Sequence, residues 1–198
     1  MAYDPRNHHR RSIRLPGYDY AQPGAYFVTI CAHDGEPLFG EVVDGIMHLN
    51  RFGRIVQTCW SNLPHHYPHV VLDEFIVMPT HSHKIIVLAG DPDPVAAATE
   101  HIPTGEPPLA SARHGLPEIV RAFKSFSAKR INTLRRTTGT PVWQRNYYEH
   151  IIRNDCALQA IRKYIRDNPL RWHLDRYNPA AIGSDPEAAT IWRMLDEL

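Results

Sequence analysis

Two histidines, His81 and His83, stand one residue apart in the stretch VMPTHSHKIIVL (77–88), at the mouth of an otherwise apolar run. If that run is a strand, alternate side chains share a face, so the two imidazoles project together, about 7 Å apart along the backbone. Imidazoles so placed can bind one divalent ion, and oxygen ligands beside them would draw the preference towards Mg2+ or Mn2+. The same spacing also suits two imidazoles hydrogen-bonded at a sheet rim, in a chain with thirteen histidines.

A second pair lies in KYIRDNP (163–169), where Tyr164 and Asn168 are four residues apart and so share a helix face. Taken singly, the Asn reads as a helix end before Pro169 and the Tyr as half-buried packing. Taken together, they set a phenol one turn from an oxygen donor. A phosphodiester repels nucleophiles through its charge, and a bound cation withdraws that charge. A tyrosine hydroxyl can then attack and hold the energy of the broken bond as a phosphotyrosine. Tyr147 and Tyr148 in WQRNYYEH are rival nucleophiles, but their i+4 positions are Ile151 and Ile152, and they are expected to pack beside Trp143. Glu149 and His150 could reach the metal neighbourhood, although spacing alone does not establish it.

These residues need elements to hold them. AYFVTICA (25–32) is β-branched and aromatic between turn formers, which predicts a buried strand. Asp44-Gly45 between short apolar runs predicts a hairpin. Asn50 is an N-cap for a helix whose apolar residues are Phe52, Ile55, Val56, Cys59, Trp60 and Leu63, closed by Pro64. HVVLDEFIVMP and THSHKIIVLAG read as antiparallel strands joined by a very short connection. LPEIVRAFKSFSAKRINTL predicts a helix with Ile119, Val120, Phe123, Phe126, Ile131 and Leu134 on one side and basic residues on the other. YYEHIIR is a short strand or extended segment, Asn154 caps a helix ending at Pro169, and PEAATIWRMLDEL is a short amphipathic helix. The order predicts an α+β fold, a ferredoxin-like (RRM-like) antiparallel sheet with helices packed on one face.

The 198 residues suffice for one core with appendages. Residues 1–20 read as a basic arm, 21–178 as the main domain with a proline-rich insertion at about 90–115, and 179–198 as a tail. No apolar run approaches the roughly 20 residues of a membrane span, and the first residues lack the apolar core of a signal peptide, so a cytoplasmic protein is expected. Cys31, Cys59 and Cys156 are distant and odd in number, against a disulfide framework or thiolate zinc site.

The formal net charge of +1 hides an asymmetry: residues 116–176 hold thirteen Lys and Arg against five Asp and Glu, while 1–115 hold eight against twelve. A polyanion could be gripped there, at Arg121, Lys124, Lys129, Arg130, Arg162, Lys163 and Arg166, with Arg10, Arg11 and Arg14 on the arm. A solvated helix face is the plainer reading of the same charge.

The blocks AYFVTICAHDGEPLFG, VVLDEFIVMPTHSHKIIVL, FKSFSAKRINTLRRTTGTPVWQRNYYEHIIRN and YIRDNPLRW resemble, in order, those of the REP-associated tyrosine transposases, in the HUH single-tyrosine superfamily. The likeness runs from about residue 12 to 178, omitting the insertion. It implies a metal-dependent, site-specific nuclease that cuts and rejoins single-stranded DNA at palindromic hairpins through a 5′-phosphotyrosine. His81 and His83 would take the place of the family's metal-binding pair, Asn168 that of its third polar ligand and Tyr164 that of its nucleophile. The implied cofactor is Mg2+ or Mn2+, and the implied partner is single-stranded or hairpin DNA, with the protein a monomer or homodimer.

The chain departs from the family's block at Thr80, Ser82 and Lys84. An unpartnered Ser82 hydroxyl on the core side would cost roughly 1–3 kcal/mol and loosen the site. The alternatives are a DNA- or RNA-binding regulator that has lost cleavage, and a metal phosphodiesterase in which water attacks while Tyr164 packs.

Overall fold

The computed structural model describes residues 15–90 and 114–196; Arg10, Arg11 and Arg14 of the arm, and residues 91–113 of the insertion, lie outside them. Among the described residues are six strands, β1 (Gly24–Cys31), β2 (Gly40–Val43), β3 (Ile46–Leu49), β4 (Val70–Val77), β5 (His81–Leu88) and β6 (Tyr148–Ile152). Five helices accompany them, α1 (Arg51–Ser61), α2 (Leu63–His66), α3 (Leu116–Leu134), α4 (Asp155–Asp167) and α5 (Pro186–Asp196).

The main sheet has the order β4-β5-β1-β6 with every neighbour antiparallel, the ferredoxin-like arrangement expected from the element order. β2 and β3 form the separate hairpin. Its turn residues Asp44 (φ 51°) and Gly45 (φ 73°) are both left-handed, as a two-residue turn between twisted strands requires. Asn50 caps α1, its Oδ1 accepting from the backbone N–H of Phe52 (2.8 Å) and Gly53 (3.1 Å). Pro64 does not close that helix: α1 ends at Ser61, and Pro64 occupies the first turn of α2, where its missing N–H costs nothing.

The helices do not all lie on one face. Tyr26, Val28 and Ile30 of β1 pack with Ile86 and Leu88 of β5 against α1 and α3. Phe27 and Ile85 face the other way, under Ala157, Ile161, Tyr164 and Ile165 of α4 and Ile191 of α5. The cause is in β5, which is apolar in both alternations over Ile85–Leu88 and so must be covered twice. α3 spans the residues its periodicity predicts, but only Ile119, Val120, Phe123 and Ile131 of its apolar side are buried; Phe126 and Leu134 are 41% and 42% exposed.

Candidate functional site

β5 carries His81 and His83 towards α4 and Ser82 and Lys84 towards α3, as strand alternation requires. Both imidazoles are fully buried, and their Nε2 atoms meet at 2.9 Å. Each outer nitrogen meets a hydroxyl. His83 Nδ1 lies 2.8 Å from Thr29 Oγ1 on the neighbouring strand, where the two residues are register partners. His81 Nδ1 lies 3.2 Å from Thr80 Oγ1, and that hydroxyl donates to the Tyr177 carbonyl at 2.9 Å.

This second contact settles a tautomer. The single Thr80 hydroxyl hydrogen is committed to Tyr177, so Thr80 Oγ1 accepts from His81 Nδ1–H, and the His81 Nε2 lone pair is turned inward. Orientation of a ligating imidazole through its other nitrogen is the usual second support of a metal site. Thr80 thus has a definite role in orienting His81.

Ser82 and Lys84 compensate each other. The Lys84 Nζ is buried, donates to Ser82 Oγ at 2.9 Å and lies 4.0 Å from the centre of the Phe123 ring. The Ser82 hydroxyl is therefore partnered, and the looseness expected of it does not arise.

Tyr164, on the buried face of α4, reaches over the pair. Its hydroxyl is 3.4 Å from His83 Nε2, and its ring is edge-on to Phe27 with centres 6.2 Å apart. Asn168, one turn on, is also buried; its side-chain N–H donates to Asp175 Oδ2 at 2.9 Å, while its Oδ1 has no hydrogen-bond partner. Asp175 is the residue that spacing did not reveal. Its Oδ2 is 3.9 Å from His81 Nε2, and ligand atoms of His81, His83 and Asp175 all lie within 4.8 Å of one another. The only sequence signal for it is its distance of seven residues beyond Asn168, across Pro169 and a 3₁₀ turn (Pro169–Leu174).

Two imidazole nitrogens and a carboxylate oxygen form a donor set that could hold a first-row divalent ion or Mg2+. The electrostatics agree. Burial pulls His81 down to about 3 and His83 well below its ordinary range, so both are neutral at physiological pH, as metal ligation requires. Burial raises the Asp175 carboxyl and, together with the nearby Asp175 charge, raises the Tyr164 phenol. A cation is the charge that reverses both shifts.

Tyr148 and Tyr147 are placed differently. Tyr148 is the register partner of Thr29, which in turn pairs with His83, so it stands two strands from the histidine, roughly 10 Å by strand spacing. It packs on Phe27 and Trp192, and Tyr147 packs on the α1–α3 core. His150 is the register partner of Phe27 and Glu149 that of Val28. Two cavities flank the site. One, of about 220 Å³, is lined by Tyr164, Asp175, Asp185 and Trp192; the other, of about 450 Å³, by Cys31, Thr80, Gln144 and Tyr177; Arg176 borders both.

The expected DNA-contacting cations divide into two groups. Arg162 grips Asp73 through two hydrogen bonds, Arg166 pairs with Glu74 at 2.6 Å, and Lys163 pairs with Asp167 and Glu187. Asp73 and Glu74 sit in the β4 irregularity between Leu72 and Phe75. Arg121 pairs with Glu118 at 3.2 Å, and Lys124 donates to the carbonyls of Gln144 and Arg145. Lys129 and Arg130 are exposed, with no carboxylate of the described residues in ion-pair range.

Comparison with known proteins follows the same lines. No family model matches the chain. It is 38% identical over 176 residues to an uncharacterized protein of Haemophilus influenzae, covering 88% of this chain and 96% of that one. It is 28% identical over 154 residues to another protein of that organism, named Putative REP-associated tyrosine transposase, covering 77% and 74% of the two chains. Among solved structures, a REP-associated tyrosine transposase bound to a REP hairpin shares the fold at a TM-score of 0.50 and 16% identity, over 81% of this chain and 74% of that one. Among the described residues no helix is long and apolar enough to cross a membrane.

Proposed function

On the premise that this chain belongs with the REP-associated tyrosine transposases, we propose that it cuts and rejoins single-stranded DNA at hairpin elements, with Tyr164 as nucleophile. The observation that carries this reading is the 3.4 Å approach of the Tyr164 hydroxyl to His83 Nε2. It supports Tyr164 over Tyr148 because the Tyr164 hydroxyl touches the histidine pair, whereas Tyr148 stands two strands away.

His81, His83 and Asp175 would hold Mg2+ or Mn2+, with the Asn168 Oδ1 as the spare oxygen. The ion would neutralise charge on the scissile phosphate and favour the ionised phenol. The chain's own residues do the rest. Thr29 and Thr80 fix the two imidazole planes, and Phe27 and Trp192 hold the Tyr164 ring. The Tyr164 oxygen attacks phosphorus, forms the 5′-phosphotyrosine and expels the 3′-hydroxyl of the preceding nucleotide. Attack by a 3′-hydroxyl on that linkage returns the tyrosine and reseals the strand. The likeness to a transposase carried on a REP hairpin supports hairpin DNA as the substrate class.

The features that suggested a regulator without cleavage are Thr80 and Ser82, and both are partnered in ways that keep the ligands in place. The test is incubation of the protein with single-stranded palindromic DNA, with and without Mn2+. Metal-dependent nicking with a protein–DNA adduct is expected. Binding without nicking would select the regulator, and nicking without an adduct would select water as the nucleophile.

A further inference from the structure

Phe126, Lys129, Arg130 and Thr133 recur at i, i+3, i+4 and i+7, so they form one stripe on α3. The stripe borders a groove of about 470 Å³ whose remaining lining is Cys59 and Asn62 at the end of α1 and His66 of α2. The groove lies where α1 ends at Ser61 and the short helix α2 follows. Phe126 is 41% exposed there, its ring 5.2 Å from that of His66.

The charge on this stripe differs from that on α4. Arg162, Lys163 and Arg166 are matched by carboxylates. Arg130 has only a 3.6 Å contact to Cys59 Sγ, and Lys129 has no ion-pair partner among the described residues. An exposed aromatic ring one turn from two unneutralised cations is the arrangement that stacks an unpaired base and holds its phosphates. A volume of this order accommodates a planar aromatic group. Duplex bases are stacked on each other and cannot use the ring.

Resting on the reading of the chain as a DNA-processing protein, the geometry points to a second DNA subsite here: the groove of His66, Phe126, Lys129 and Arg130 captures an unpaired loop base of the hairpin. It lies with α1 and α3, on the sheet face opposite His81, His83 and Tyr164, so the base held there is not in the strand segment being cut. The subsite selects hairpins over plain duplex, whereas Tyr164 acts on the flanking single strand.

The experiment measures binding by fluorescence anisotropy to a DNA hairpin with an unpaired loop and to a blunt duplex of the same stem. Phe126→Ala is expected to weaken the hairpin about tenfold and leave the duplex unchanged, with Phe126→Trp retaining wild-type affinity. Lys129→Glu with Arg130→Glu should weaken both DNAs and flatten the salt dependence, because phosphate contacts carry no base information. Wild-type hairpin affinity in Phe126→Ala, or equal weakening of both DNAs, would overturn the subsite.

A measurement on the unaltered protein guards against folding effects. A 5-bromouracil loop should photo-crosslink to the tryptic peptide SFSAK (125–129), and crosslinks confined to other peptides would refute the assignment. Failure of this subsite is distinguishable from failure of the catalytic reading. Phe126-dependent hairpin binding without a Tyr164 adduct removes only the chemistry, and an adduct with Phe126-independent binding removes only the groove.

Discussion

The Tyr164 hydroxyl and the Thr29 hydroxyl hold the two nitrogens of one imidazole, His83 Nε2 at 3.4 Å and His83 Nδ1 at 2.8 Å. One ring thus links Tyr164 on α4 to the neighbouring strand β1.

Thr29→Val keeps the volume and removes the hydroxyl that orients His83. Loss of such a support typically weakens a metal site by 10- to 100-fold, order of magnitude. Nicking should therefore fall at limiting Mn2+ and recover at high Mn2+. Unchanged metal dependence would mean that packing alone orients the ring.

Asp175→Asn tests the candidate ligand that spacing did not reveal. Loss of the carboxylate should weaken Mn2+ binding by calorimetry more than Asn168→Ala does, since Asn168 Nδ2 donates to Asp175 Oδ2 at 2.9 Å. The reverse order would make Asn168 the principal oxygen ligand and Asp175 its support.

Much of this was legible in the chain. Asn50 and Asn154 marked helix starts, Asp44-Gly45 marked the hairpin, and strand alternation put His81 and His83 on one face because these rules are local. What was hidden depends on distant partners. Asp175 lies in an irregular segment without a period. The ion pairs of Arg162 and Arg166 join residues 89 and 92 positions away, so cations that read as a DNA face turned out to be matched. The stripe of α3 correctly predicted a helix, but nothing in its period announces that Phe126 and Leu134 stay exposed. The second covered face of the sheet was signalled by the doubly apolar end of β5.

The Arg162–Asp73 pair gives a stability forecast with a definite sign. The Arg162 hydrogen bonds hold the Asp73 carboxyl below its ordinary range. A depressed carboxyl stabilises the fold above its unfolded pKa and loses that contribution as pH falls through the folded one. Arg162→Met should thus cost about 1–3 kcal/mol at neutral pH, with the gap to wild type closing below about pH 4. DNA affinity should change little. A large loss of affinity with unchanged thermal stability would place α4 on the DNA surface after all.

Lys84 is held in the α1–α3 core with its pKa driven well below the ordinary lysine range by burial. The unfolded chain therefore binds a proton that the native chain resists, and the residue destabilises the fold as pH falls from about 10. Lys84→Met combined with Ser82→Ala, which avoids an orphaned hydroxyl, should stabilise by about 1 kcal/mol, or roughly 2–4 °C in melting temperature. The gain should shrink on raising the pH towards 10. Destabilisation at every pH would show that the Lys84–Ser82 bond and the Phe123 contact outweigh the burial cost.

The most direct measurement is the mass of the DNA-linked peptide after Mn2+-dependent reaction with a single-stranded palindrome and digestion with trypsin. Tyr164 lies in the tryptic peptide YIR (164–166) and its rivals Tyr147 and Tyr148 in NYYEHIIR (146–153). A nucleotide adduct on YIR that vanishes in Tyr164→Phe is the expected result. An adduct on NYYEHIIR, or one that survives Tyr164→Phe, would contradict the assignment of the nucleophile and of the site built around it.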